Sequence, residues 1–404
     1  MRFSFFFAML ITASASAQGL QPVPAFDDAV RLANEERDDE ALAAFQQRAA
    51  TNPEDHAARL WIARLHERMG RSELAEPVYR SVLLEDPSSM DARLGVASML
   101  LERDDAKEAI EVLEAAEGSG PESAAALALL GRAHRMAGHD ALAIQYFERA
   151  VTAEPSASYR NQLETAQLSY LHRVEMRGFT EQFNQTTPDS RSGEFVLNYR
   201  LNDKLRVLGR GEVQRKFGVS DERGGGGAEW RWTPAATLRA QVLVGPDNLV
   251  MPEGDYLGEF DYTRGPATWS AGIRHFDFTG ARTTVLSPAV AWLASDRMLV
   301  GIRYAMSFTE IDEGSRSDIG HSLHLAADYR LYYRLWLHGG YAAGVENFDN
   351  FSIDRVGDFR ANTLSGGLRI PLRTLTTIEG GYDHQWRRDD VSMGRATISL
   401  QQRF

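Results

Sequence analysis

The sequence predicts an α + β multidomain protein: an N-terminal α-solenoid, then a C-terminal antiparallel transmembrane β-barrel of 14 strands, with 12 as the alternative. Three observations carry this expectation. Pro53, Pro87, Pro121 and Pro155 recur every 34 residues, and a fixed period of that length marks stacked helical hairpins. From about Tyr170 onward apolar residues recur instead at every second position, as in strands with one oily and one wet face. The start, Met1-Arg2-Phe3, an apolar run from Phe5 to Ile11, then Ala15-Ser16-Ala17, has the order of a secretory signal cut after Ala17. The expected domains are a signal peptide over 1–17, a periplasmic helical array over 18–168 and an outer-membrane barrel over 169–404.

The array is read by aligning on the prolines. Twelve residues upstream of each stands an alanine, Ala41, Ala75, Ala109 and Ala143, and four residues beyond each alanine a bulky side chain, Phe45, Tyr79, Leu113 and Phe147. A small residue lets two helices approach, and the large one fills the gap to the next pair. Gly131 and Gly138, with Gly70, fit further small positions and inter-helix turns. This pattern resembles the tetratricopeptide repeat (TPR): about four units, the first opened by an atypical helix from Phe26 to Asn34, and a closing helix over Tyr159 to Leu168. The resemblance implies a concave groove that binds a partner protein. Projected onto this chain, its groove positions are Arg64, Glu67, Arg68, Ser98, Glu102, Arg132 and Arg135. Four of these seven are arginines, suited to carboxylates on a partner; the competing expectation is that they pair with nearby carboxylates of the array.

The second half alternates. Phe195, Leu197, Tyr199 and Leu201 share one face against Glu194, Asn198 and Arg200 on the other, and the pattern recurs down to Ala396, Ile398 and Leu400. Segments near ten residues with aromatics near their ends fit tilted strands crossing lipid better than a soluble sandwich. Short turns, such as 202–204, 233–235, 264–266, 295–297, 332–334 and 371–373, take every second connection. The connections expected to be longer and polar are 218–225, 245–254, 310–318 and 346–359. The first strand is placed near Tyr170–Thr180, and the run Gly224–Gly227 as a flexible outer loop entering a strand.

Alternation also assigns an inward set: Arg206, Arg210, Glu212, Gln214, Glu229, Arg231, Arg239, Glu259, Asp261, Arg274, Arg303, Asp328, Arg330, Glu379 and Arg403. A dry core could not hold so many charges unpaired, so a hydrated lumen or a dense salt-bridge network is required. Phe276 and Trp336 are candidate lumen-side aromatics.

Composition narrows the chemistry. There is no cysteine, which removes disulfides, thiolate metal sites and cysteine nucleophiles. Residues 18–168 hold 27 Asp and Glu against 15 Lys and Arg, a net of −12, while 169–404 hold 29 against 28; a nucleic-acid partner is disfavoured in both halves. No stretch after the N-terminus offers about 18 consecutive apolar residues, which excludes transmembrane helices and leaves a barrel open. His321 and His324, three apart on a strand, face opposite sides and cannot chelate together, and His275 with Asp277 forms a polar patch at a strand end. The run Gly224–Gly227 lacks the helix and Lys-Ser/Thr of a phosphate loop. No catalytic residue, metal site or cofactor is expected.

Phe404, with Leu400 and Ile398 on its face, resembles the C-terminal signal read by the barrel-assembly machinery; Gln402 departs from the apolar residue expected there. The whole tandem, with Ser270-Ala271-Gly272-Ile273-Arg274-His275-Phe276 and the closing Gln402-Arg403-Phe404, resembles the YaiO-like outer-membrane barrel family. That resemblance implies outer-membrane lipid around the barrel. The tandem leads to three competing roles: a conduit or accessory exporting a surface polymer such as exopolysaccharide, with a periplasmic or secretion-complex protein on the groove; a factor that assembles surface lipoproteins; and a structural anchor plugged by its own charges and the 346–359 loop.

Overall fold

The computed structural model describes residues 23–404 except 116–122, 186–188, 312–315, 333–334, 350, 358 and 389; the signal segment and Pro121 lie outside the described residues. The chain forms two compact units, Met1–Leu130 and Gly131–Phe404.

The first unit contains α1 (Phe26–Asn34), α2 (Asp38–Thr51), α3 (His56–Arg68), α4 (Ser72–Glu85), α5 (Met90–Glu102) and α6 (Ala106–Glu114), and α7 (Ala124–Met136) crosses into the second. Each repeat position has a packing reason. Ala41, Ala75 and Ala109 are fully buried, and Phe45, Tyr79 and Leu113 nearly so. Phe45 stacks on Trp61 at 5.5 Å in a core with Ala29, Ala33 and Leu65. A Cβ at Gly95 would run into the Tyr79 ring, so α5 can approach α4 only with glycine there. Side chains cap the helix starts: Asp55 accepts from the Ala58 N–H at 3.0 Å, Ser89 from Ala92 at 3.3 Å and Asp105 from Glu108 at 3.2 Å. Gly70, at φ +71°, supplies the left-handed residue that ends α3.

In the second unit, α8 (Asp140–Ala153) and α9 (Ala157–Tyr170) precede the barrel. Ala143 and Phe147 repeat the same packing, with a Cβ at Gly131 falling 2.7 Å from the Phe147 ring. The closing helix is longer than expected because Ser156 caps it, accepting from Tyr159 N–H at 3.2 Å.

Fourteen strands follow: β1 (Arg173–Phe183), β2 (Ser190–Arg200), β3 (Leu205–Lys216), β4 (Val219–Thr233), β5 (Ala236–Val244), β6 (Gly254–Arg264), β7 (Ala267–Phe278), β8 (Ala281–Ser295), β9 (Met298–Ile311), β10 (Arg316–Tyr332), β11 (Leu335–Ala343), β12 (Ala361–Pro371), β13 (Thr376–Arg387) and β14 (Ser392–Arg403). Each pairs antiparallel with the next, and β1 closes on β14 from Arg173↔Arg403 to Phe183↔Met393. His172 and Phe404 exchange backbone hydrogen bonds of 3.1 Å just beyond that seam. Closure leaves no open edge, the condition for strands in hydrocarbon. The outward face is apolar and exposed, as Met176, Phe195, Val213, Ile273, Ile302 and Ile398 illustrate. Trp230, Trp232, Trp269 and Trp292 girdle the short-turn end, and Tyr256, Tyr304 and Trp386 stand toward the other.

Four sequence expectations change. The first strand starts at Arg173 rather than near Tyr170. The 218–225 connection is a tight turn: Lys216 pairs with Val219 across Phe217 and Gly218, whose φ values of +56° and +85° close a two-residue hairpin. Gly224–Gly227 is not a loop but the middle of β4, paired on both sides. A Cβ at Gly225 or Gly227 would strike the carbonyl oxygens of Val242 or Ala240; the glycines are there for close strand approach. Glu310 and Asp318 lie within β9 and β10, with only residues 312–315 between Ile311 and Arg316 undescribed.

β11 is short. It ends at Ala343, where Gly344, at φ +99°, turns the chain away; a Cβ there would strike Ser322. Gly225→Ala, whose methyl would meet rigid backbone, is expected to lower barrel stability by about 1–3 kcal/mol, whereas Gly211→Ala, with nothing within 4 Å of its Cβ, is expected to be neutral. Urea unfolding followed by the heat-modifiable shift on gels measures both.

Candidate functional site: a charged barrel interior and a helical groove

Within the first unit, the predicted groove residues bond to the array itself. Arg64 pairs with Asp91 at 2.9 Å, and Arg68 with Asp38. Glu67 accepts from the Tyr79 hydroxyl at 2.9 Å and from Ser98 at 3.4 Å, and Glu102 accepts from Ser72 at 2.8 Å. Burial first, and then the Glu67 carboxylate, hold the Tyr79 phenol well above its ordinary pKa, so it remains a donor at neutral pH. These side chains set the spacing between successive hairpins. In the second unit, Arg132 and Arg135 are exposed on α7, with no ion pair among the described residues.

An unanticipated device braces the repeats at their prolines. Arg59 donates to the Pro53 carbonyl at 3.3 Å, Arg93 to Pro87 at 2.7 Å and Arg160 to Pro155 at 2.6 Å. A proline ends each helix pair, and the following arginine satisfies the carbonyl left without a helical donor.

The barrel interior is layered. At the short-turn end, Arg200 and Arg231 both reach Asp140 at the start of α8, at 3.1 and 3.0 Å. Ala141 N–H donates to Asp203 of the β2–β3 turn at 3.3 Å, and Arg206 donates to Asn198 and to the Ser169 carbonyl. The middle layer is looser. Arg239 bridges Glu229 and Glu259 at 3.0 Å each, and Arg303 reaches Glu259 at 3.5 Å. His338 pairs with Asp328 at 3.0 Å and Arg369 with Glu379 at 2.8 Å, while Ser270 donates to Asp261 at 2.5 Å. Arg330 lies 5.8 Å from the Trp336 ring, and Arg403 closes the lower end of the seam opposite Arg173. Side chains here stay wet: Arg303 is 47% exposed, and Arg239 34%.

The outer layer is largely dry, with Asp349 at its rim 51% exposed. The described residues of 344–360, between β11 and β12, fold into the barrel. Glu346 meets Arg355 at 3.0 Å and Arg395 at 2.7 Å. Both arginines also reach Glu181 of β1, which Lys216 of β3 joins at 3.1 Å. Lys216 and Arg387 hold Asp354 at 3.0 and 2.9 Å. On the other side Arg274 grips Asp349 at 2.6 Å and Asp255 at 2.7 Å, Arg223 links Asp255 to Glu212, and Arg210 pairs with Glu194 and Glu212. Gln214 is buried nearby. Arg355 is 0% exposed and Lys216 1%. The segment's apolar side seats Phe351 on Phe276 at 4.7 Å and on Phe278 at 5.8 Å, with Val285 and Ala305 beneath. Burial alone would raise the Glu346 pKa, but the Arg355 and Arg395 charges outweigh it and hold it below its ordinary value.

The expected inward set includes Arg210, Glu212 and Arg274 but leaves out Glu181, Lys216, Arg223, Asp255 and Arg395, which lie at the same parity nearer the outer strand ends, where that set does not extend. Of the two aromatics expected inside, Phe276 is a seat for the loop, and Phe278, at the same parity, shares it. His321 and His324 do face opposite ways: His321 bonds the Tyr304 hydroxyl, while His324 stacks near Phe348. His275 and Asp277 meet at 3.2 Å at the end of β7.

The tetratricopeptide repeat model matches residues 26–89, 62–120 and 97–158. Comparison with curated proteins returns no match. Among solved structures, a thermophilic TPR protein of Thermus thermophilus is 21% identical, covering 35% of this chain and 79% of its own with a TM-score of 0.33. A bacterial polysaccharide outer membrane secretin is 10% identical over 58% of this chain and 99% of its own, TM-score 0.41. A loop-deletion mutant of the Vibrio cholerae outer membrane protein OmpT is 11% identical over 58% and 98%, TM-score 0.36. The chain is a TPR solenoid fused to a closed 14-stranded barrel. The barrel, apolar outside and charged within, spans the outer membrane, and an even strand number returns both its ends to the short-turn, periplasmic side.

Arg355→Ala would leave Glu346 and Glu181 with fewer counter-charges in a dry site. The expected cost is about 3–5 kcal/mol, read as loss of protease protection across residues 344–360 in otherwise heat-modifiable protein.

Proposed function

We propose that this chain is a gated export conduit of the outer membrane, passing a polar surface polymer such as exopolysaccharide, and that its periplasmic array docks the secretion-complex protein that delivers the cargo. The observation that carries this reading is the gradient inside the barrel. The middle layer is wet and polar, with Arg303 47% exposed, while the 344–360 connection, whose Ile353 N–H donates to the Val250 carbonyl of the 245–253 connection, closes the outer layer, where Arg355 is 0% exposed. A closure made from a connection, rather than from the wall strands, can leave its seat without opening the hydrogen-bonded cylinder. The mixed signs of the middle layer suit a neutral or weakly charged polymer better than a small ion of one sign. The resemblance to the YaiO-like family bears on the outer-membrane location in this reading and not on the cargo; the reading includes no enzymatic step and no cofactor.

On the array, Arg132 and Arg135 are the groove arginines available to an acidic segment of that partner, because Arg64 and Arg68 are engaged with Asp91 and Asp38. A second reading, a plugged structural anchor, is favoured by the number of ion pairs on residues 344–360: Glu346, Asp349, Asp354 and Arg355 are all engaged.

Planar bilayers separate the two. Full-length protein is expected to stay closed with brief openings, and Arg355→Ala to give sustained conductance. A closed Arg355→Ala barrel, with surface polysaccharide unchanged on deletion of the chain, would select the anchor. For the groove, Arg132→Glu/Arg135→Glu in the full chain is expected to reduce capture of the periplasmic partner about tenfold, read by quantitative pull-down.

A further inference from the structure

The outer surface of the barrel carries two arginines that its own ion pairs leave unused. Arg191 of β2 and Arg215 of β3 stand directly opposite each other in register and are exposed. Like charges at facing strand positions cost stability, and no carboxylate of a described residue lies within ion-pairing distance of either. By contrast Arg282, at the same end of β8, has Asp277 at 3.7 Å. Both arginines share the outward parity of Phe195 and Val213, and each stands two residues beyond an apolar or glycine position, a rise of about 7 Å. They therefore sit at headgroup height above hydrocarbon.

Below them is room for an acyl chain. A cleft of about 750 Å³ is lined by Met176, Phe195, Val213, Val244 and Pro246 over Gly193 and Gly211, with Glu222 among its polar members. It runs into a second of about 580 Å³ lined by Arg191 and Arg215, and also by Asp247 and by Asp221, whose carboxylate is taken by the N–H groups of Leu249, Val250 and Met251; Gly193, Val213, Glu222 and Pro246 line both. We infer that this composite cleft binds a phosphorylated acyl lipid of the outer leaflet, the paired guanidiniums taking the phosphate and the apolar cleft a chain. Guanidinium forks match phosphate oxygens bidentately, and an anion between the two arginines turns their mutual repulsion into attraction. Free phosphate would leave the apolar part of the cleft empty. A protein strand cannot add here, since β2 and β3 are each paired on both sides. The inference depends on the outer-membrane location and not on transport, so its failure would leave the conduit reading untouched.

The test uses full-length protein in neutral detergent and native mass spectrometry, titrated with diphosphoryl lipid A, the same lipid dephosphorylated, and inorganic phosphate. Wild type is expected to retain the phosphorylated lipid, R191Q/R215Q to lose about tenfold in affinity, and R282Q to match wild type. Gly211→Leu, which fills the cleft with both arginines intact, is expected to weaken lipid retention as well. Equal retention by R191Q/R215Q, or equal retention of the dephosphorylated lipid by wild type, overturns the inference. Inorganic phosphate bound as tightly as the lipid reduces the site to an anion site and overturns it too.

Discussion

Backbone groups in hydrocarbon have no water to bond, and that constraint organises this molecule. It demands that β1 find β14, residues over two hundred positions apart, because a sheet with free edges could not remain in the bilayer. Alternation then follows. Once the outward positions must be apolar, every second residue points into the cylinder, and the interior inherits whatever the outward face refuses. The charges that look expensive in the sequence are thus a consequence of closure.

How those charges are accommodated differs with depth. In the middle layer Arg239 and Arg303 share Glu259 and keep contact with solvent, so each pair contributes little. In the outer layer Lys216, Arg355 and Arg395 converge on Glu181 with almost no exposure. Desolvation there is large, and only multiple partners per ion offset it. The same fold therefore contains a tolerant region and a brittle one, separated by the depth to which residues 344–360 descend.

Much of this is legible in the sequence. The 34-residue period locates the fully buried Ala41, Ala75, Ala109 and Ala143, because one hairpin cannot bury its face alone and each unit must repeat the same contact. Parity places Glu212 and Arg274 inside. What escapes is what parity and period do not encode. Glycine carries one signal in a loop and another in a strand, so pattern alone puts Gly224–Gly227 in a connection, whereas β4 needs bare backbone beside Val242 and Ala240. Glu181 and Arg395 are separated by 214 residues, and nothing local announces their meeting. In the groove, Asp38 and Asp91 neutralise Arg68 and Arg64 from neighbouring helices, a pairing that a helix-by-helix projection does not contain.

The seat of Arg355 has one more consequence. Glu181 belongs to the first strand and Arg395 to the last, so the two lie on opposite sides of the seam at which the cylinder is sewn shut. Until that seam exists, Arg355 and Glu346 have only half their partners, and the connection that carries them has nowhere dry to go. The ion pairs of the segment thus act as a clasp that is complete only when the two chain ends are in register.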